Sequence, residues 1–149
     1  MSDVELLNAG LAGEHFGIAA YQAALDSGLL DEGTAAVAKA FQNDHEAHRD
    51  RLASVVAERG GEPVPSLPAD SYAAQFPPLA TAADIVTYAI ELEAGAARAS
   101  VASVAEYEDR QLALLAARIG AVEAQHWAVL LGATGQHPVP SPFIELDVS

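Results

Sequence analysis

Glu123 and His126 stand three residues apart in LLAARIGAVEAQHWAVLL, and on a helix that spacing turns both side chains to one face. The same face is apolar. Leu112, Ala116, Ile119, Glu123, His126 and Leu130 follow one another at steps of 4, 3, 4, 3 and 4, the rhythm of a stripe buried inside a helical bundle. A charged carboxylate in such a stripe is costly unless it is paired or binds a metal. Carboxylate oxygen beside imidazole nitrogen suits iron, manganese or zinc, so the pair predicts matching ligands on other helices.

Those ligands are present at the same spacing. Glu14 lies in the stripe Leu7, Leu11, Glu14, Ile18, Tyr21 and Leu25, and Glu93 in the stripe Val86, Ile90, Glu93, Ala97, Ser100 and Val104. A further stripe, Val37, Phe41, His45, His48, Leu52 and Val55, offers two histidines three apart. Asp44 competes with His45 from one residue out of phase, and Glu91 competes with Glu93 but is expected to face solvent. Lys39 is the single lysine, and the arginines fall mostly outside these stripes, so the buried carboxylates lack evident cationic partners. The set Glu14, His45, His48, Glu93, Glu123 and His126 therefore predicts a mid-bundle site for two divalent ions, iron first, with manganese or zinc as alternatives. The competing reading is a metal-free hydrogen-bond network in a helical scaffold. Tyr21 and Tyr88 either line the site or serve as core, Trp127 is read as packing, His15 as exposed or at an interface, and His137 as without a role.

Four helical stretches carry these residues. The first runs from Asp3, a candidate N-cap, to Ser27 before Gly28, and the second from about Thr34 to the Gly60-Gly61 pair. The third opens on Thr81-Ala-Ala-Asp84, a capping box with Asp in place of Glu. The fourth spans Asp109 to Leu131, with Gly132 as its stop. Short connections within the first and last pairs make each an antiparallel hairpin. The segment GGEPVPSLPADSYAAQFPPL joins the pairs. Twenty extended residues reach roughly 65 Å, and a 25-residue helix is about 38 Å long, so this segment can cross the whole bundle. The expectation is an all-α four-helix bundle over residues 1–132 with a long crossover between the second and third helices. A proline-rich tail, 133–149, follows; its Phe143, Ile144 and Leu146 are expected to dock, with a second subunit of a dimer as a candidate surface. A generic up-down bundle is the alternative topology.

Composition narrows the function. The 149 residues carry a formal charge of −14, which argues against a nucleic-acid partner and favours cations near the surface. With no cysteine, disulfides, thiolate metal sites and iron–sulfur clusters are excluded. No signal peptide and no membrane span are visible, so a cytoplasmic location is expected. No phosphate loop or nucleophile elbow is found.

The stretches LAGEHFGIAAY, NDHEAHRDRL, AIELEAGAA and AVEAQHWAVL resemble the bacterial ferritin-like domain, a relative of the rubrerythrins and di-iron carboxylate proteins. In that family two helices each give a Glu and two each give Glu-x-x-His. The resemblance implies Glu14, Glu93, Glu123, His126 and His48 as metal ligands and a reaction with oxygen or peroxide, or Fe(II) oxidation. It departs at one position: His45 stands where the pattern has glutamate. A related branch is similar in the HxxxRD stretch from His45 to Asp50, which would give His45 a role in the fold instead. A single-metal site and metal storage in a larger cage also stay open.

Overall fold

The computed structural model describes residues 1–146. Five helices make it up: α1 (Asp3–Asp26), α2 (Glu32–Glu58), a short α3 (Ala69–Ala73), α4 (Ala82–Ser103) and α5 (Arg110–Ala133), with no strand among the described residues. None of these helices is long and apolar enough to cross a membrane. The chain falls into two compact units, one of Leu7–Ile85 and one of Met1–Leu6 together with the described residues from Val86 onward.

The helix ends follow from local chemistry. Ser2 caps α1 rather than Asp3: Glu5 Oε2 accepts from the Ser2 N–H at 2.7 Å, and the Glu5 N–H returns the bond to Ser2 Oγ at 3.3 Å. That is a capping box one residue upstream of the expected cap. Asp3 does a different job, its carboxylate accepting from the Glu108 and Asp109 N–H groups at 2.9 and 3.1 Å and so holding the turn before α5. Thr81 and Asp84 form the expected reciprocal box at the start of α4. Asp31 caps α2 through the Thr34 N–H at 2.7 Å, so α2 begins two residues before the expected start.

Both α2 and α5 end in the same device. At α2, Gly60 takes a φ of +75°, its N–H bonds to Ala57 O, and the Gly61 N–H bonds to Val56 O. At α5, Gly135 takes a φ of +75°, its N–H bonds to Gly132 O, and the Gln136 N–H bonds to Leu131 O. This is the Schellman pattern, which needs a left-handed residue just past the cap. Gly132 lies one turn early, inside the helix, so it is not the stop; α5 runs on to Ala133, past the expected limit of the helical region. The second departure is α3, a short helix inside the proline-rich segment.

Within the first unit, α1 and α2 are antiparallel. Ideal side-chain positions at Gly10 and Gly17 meet Leu52 and His45, and Tyr21 packs edge-to-face on Phe41 with ring centroids 6.2 Å apart; partner numbers on α2 fall as those on α1 rise. The connector then lies along α1, in the direction of that helix. The Asn8 amide donates to Glu62 O and accepts from the Val64 N–H, at 3.0 and 2.8 Å. His15 Nε2 donates to Val64 O at 3.1 Å, and Phe16 meets Tyr72 and Phe76 edge-to-face at 6.0 and 5.4 Å. His15 is thus half-buried and pins the connector, contrary to the expectation of an exposed or interface residue. On α2 the apolar stripe takes in Ala38, while Val37 is exposed.

The second unit repeats the antiparallel arrangement with α4 and α5. Gly120 sits where a side chain would meet Ser100, Val101 and the Ala97 carbonyl, and the Arg98 guanidinium lies 5.2 Å from the centre of the Trp127 ring. In the tail Phe143 and Val139 are exposed, and His137 Nδ1 meets the backbone of Val139. Ile144 and Leu146 are half-buried, and the last three residues lie outside the described chain.

Candidate metal centre

Each hairpin carries half of the predicted ligand set, and five of the six side chains are almost wholly buried: Glu14, His45, Glu93, Glu123 and His126. Helical phase explains this. The stripes run through the middle of each helix, and the polar residues inherit the inward direction of the leucines and alanines on either side. The rivals do not share it. Asp44 and Glu91 are exposed, one and two residues out of phase.

In the α1–α2 unit, Glu14 is the hub. Its Oε2 accepts from His45 Nδ1 at 2.6 Å, and its Oε1 lies 3.4 Å from His48 Nδ1. One ligand-type atom from each of the three residues lies within 4.8 Å of the others. Burial pushes the Glu14 carboxyl up, but the His45 hydrogen bond and the imidazoles of His45 and His48 beside it outweigh that and hold the group below the usual carboxylate range. His45 is accommodated by Gly17, since a Cβ there would sit 3.2 Å from its Nδ1 and Cε1. On its other side the Tyr21 ring lies 5.6 Å away, tilted by 32°.

In the α4–α5 unit the wiring differs. His126 Nδ1 donates to Glu93 Oε2 at 3.3 Å, and Glu123 Oε2 accepts from the Ser100 hydroxyl at 2.9 Å. Ser100 had counted only as a stripe position. Its role beside Glu123 follows from a close helix approach at Gly120, which spacing along one helix does not reveal.

Whether these residues fit a metal can be tested on one atom. His48 Nδ1 is buried and has no hydrogen-bond partner among the described residues, a condition that costs roughly 1–3 kcal/mol and is rare in folded proteins. Ligand atoms about 2.1 Å from a small divalent ion stand roughly 3.0–3.4 Å apart, and the 3.4 Å from His48 to Glu14 falls in that range, as does the 3.3 Å from His126 to Glu93. The donor set, oxygens and imidazole nitrogens without thiolate, is that of iron, manganese and zinc sites. The residues fit.

Comparison with known proteins agrees with the fold. The sequence profile of the ferritin-like domain matches residues 2–136. The solved structure of a conserved hypothetical protein from Mycobacterium tuberculosis superposes with a TM-score of 0.77 at 22% identity, covering 95% of this chain and 96% of that one. No protein of curated function matches the sequence. A profile match across nearly the whole chain, over helices that place carboxylate and imidazole inward, makes this protein a member of the ferritin-like domain family.

Proposed function

We propose that this ferritin-like protein holds two divalent ions, iron first, with Glu14, His45, His48, Glu93, Glu123 and His126 as ligands, and that it works as an oxidoreductase of the ferroxidase type on oxygen or peroxide. The observation that carries the reading is the buried, unpartnered His48 Nδ1 beside Glu14. The connector running along α1 supports a four-helix bundle with α3 in its crossover, the plan from which di-metal carboxylate proteins are built, and the apolar tail residues support a homodimer.

When bound, the ions supply the electron exchange with the oxidant. The side chains supply the rest. Glu14, Glu93 and Glu123 offset most of the positive charge of the pair. Imidazole binds a metal only when neutral, so affinity should fall with acidification. Leu11 and Tyr21, one helical turn or two from Glu14 on the same face and buried, keep water away from the carboxylate and strengthen its interactions.

The test is elemental analysis after anaerobic loading with Fe(II) or Mn(II) and removal of loose ions, followed by addition of oxygen or peroxide. Two tight ions per chain and consumption of the oxidant are expected; no stoichiometric metal would end the proposal. The 2.6 Å Glu14–His45 bond favours a second reading, a metal-free polar network in a structural bundle. On that reading Glu123→Ala changes stability and leaves metal content at background.

A further inference from the structure

We propose that a second copy of this chain docks on the outward face of α5, the two helices running antiparallel about a twofold axis that passes between Ala121 and Val122. The inference rests on the homodimer of the reading above and gives it a face. It does not depend on a metal.

Three observations carry it. The first is exposure. Leu114 and Val129 are 53% and 51% exposed, and among the described residues α5 is the only helix with two exposed large apolar side chains. At 3.6 residues per turn, Leu114, Arg118, Ala121, Gln125 and Val129 fall within about 80° of one another, and the three between the apolar ends are exposed too. Apolar side chains aligned on one face mark an interaction surface more strongly than scattered ones do.

The second is charge. The chain carries −14, so two copies repel wherever their carboxylates meet. Glu123 is the one acidic residue of α5, and it is buried. The other long helices each expose an acid, Asp26 on α1, Asp44 on α2 and Glu91 on α4. The α5 face is therefore the one long-helix face on which copies can approach without opposing carboxylates. A basic partner, which the net charge would attract, finds no carboxylate there.

The third is register. Leu114 and Val129 lie equally far from the midpoint between Ala121 and Val122, and so do Arg118 and Gln125. A twofold interface needs this self-complementarity, because residue i must meet j while j meets i. Turned about that point, Leu114 of one copy meets Val129 of the second, and Arg118 meets Gln125. The Gln125 side-chain nitrogen already donates to Ala121 O at 3.1 Å, which leaves its oxygen to accept from the guanidinium of the second copy. Ala121, with its small side chain, lets the backbones come close.

The test is sedimentation equilibrium of the full chain over a range of protein and salt concentrations. A monomer–dimer equilibrium is expected, and the dimer should tighten severalfold as salt screens the repulsion between copies. Arg118→Glu should abolish it, and Gln125→Arg added to Arg118→Glu should restore it with the roles exchanged. Within one copy the two positions lie about 10 Å apart along the helix, so rescue can come only from across the interface. The chain has no cysteine, so Leu114→Cys combined with Val129→Cys should give a covalent dimer on mild oxidation, whereas Leu114→Cys alone should not. Far-UV circular dichroism checks that each variant folds. A dimer that survives Arg118→Glu and gives no cross-link, or one that is lost in Phe143→Ser, would overturn the α5 face and leave the homodimer standing. A chain that is monomeric at every concentration would overturn both and leave the metal assignment untouched.

Discussion

The α1–α2 and α4–α5 hairpins are built alike and wired differently. Each is antiparallel, each has a glycine where an added side chain would crowd the opposite helix (Gly17 and Gly120), and each buries carboxylate and imidazole at mid-height. In α1–α2 one carboxylate serves two imidazoles. In α4–α5 Glu93 meets His126 and Glu123 accepts from Ser100. A hub concentrates the consequences of losing a single group, and a distributed network spreads them. The comparison breaks most visibly at Glu14. Glu14→Ala leaves His45 and His48 without the carboxylate both face, and removing one partner of a buried pair costs about 3–5 kcal/mol. Urea unfolding of the metal-free protein should show that loss, several times the cost of any single change at Ser100. Equal costs would mean that the two centres are wired alike.

The hub was legible only in part. Helical phase put the six polar residues on the inward stripes and turned Glu91 to solvent, because period is a property of one helix and reads directly from sequence; Asp44 stayed a rival of His45 until the fold showed it exposed. The capping box at Thr81 was legible for the same reason. What failed involved contacts between elements or one-residue choices among equivalent signals. Ser2 and Asp3 both suit a cap, and Asp3 was free for the turn before α5 because Ser2 and Glu5 close the box. Gly132 and Gly135 both suit a stop, and only the Schellman bonds choose between them. His15 reads as a stray surface histidine until the connector folds back onto α1. The Glu14 hub itself needs the register of α1 on α2, which neither stripe contains.

The glycines offer the next contrast. At Gly120 a Cβ would lie 3.0 Å from Ser100 Cβ and 3.5 Å from the Ala97 carbonyl, close to backbone that cannot swing away. Gly120→Val should therefore cost about 1–3 kcal/mol through overpacking, read as a lower thermal midpoint. At Gly17 the neighbour is the His45 ring at 3.2 Å, which can shift by a few tenths of an ångström. Gly17→Ala should cost under about 1 kcal/mol. A large stability loss at Gly17 would show that His45 is locked by more than its contact with α1.

The units also differ in what holds their connections. Asn8 makes two hydrogen bonds to the crossover, at Glu62 and Val64, and Asp3 makes two to the turn before α5. Asn8→Ala should cost about 1–2 kcal/mol and raise amide exchange around Val64 without touching α4 or α5. Exchange that rises throughout the chain would instead make the crossover part of a single cooperative unit.

The smallest change sharpens the comparison most. Ser100→Ala removes one hydroxyl donor from Glu123 and should lower stability by about 1 kcal/mol. Its effect on metal depends on what the hydroxyl does. A donor to a ligating carboxylate holds it in orientation, and losing such a partner typically weakens binding about 10–100-fold, so Co(II) titrated into the metal-free protein should bind more weakly. Tighter Co(II) binding would instead make Ser100 a competitor for the carboxylate, whose bond to the hydroxyl must be broken before an ion is held.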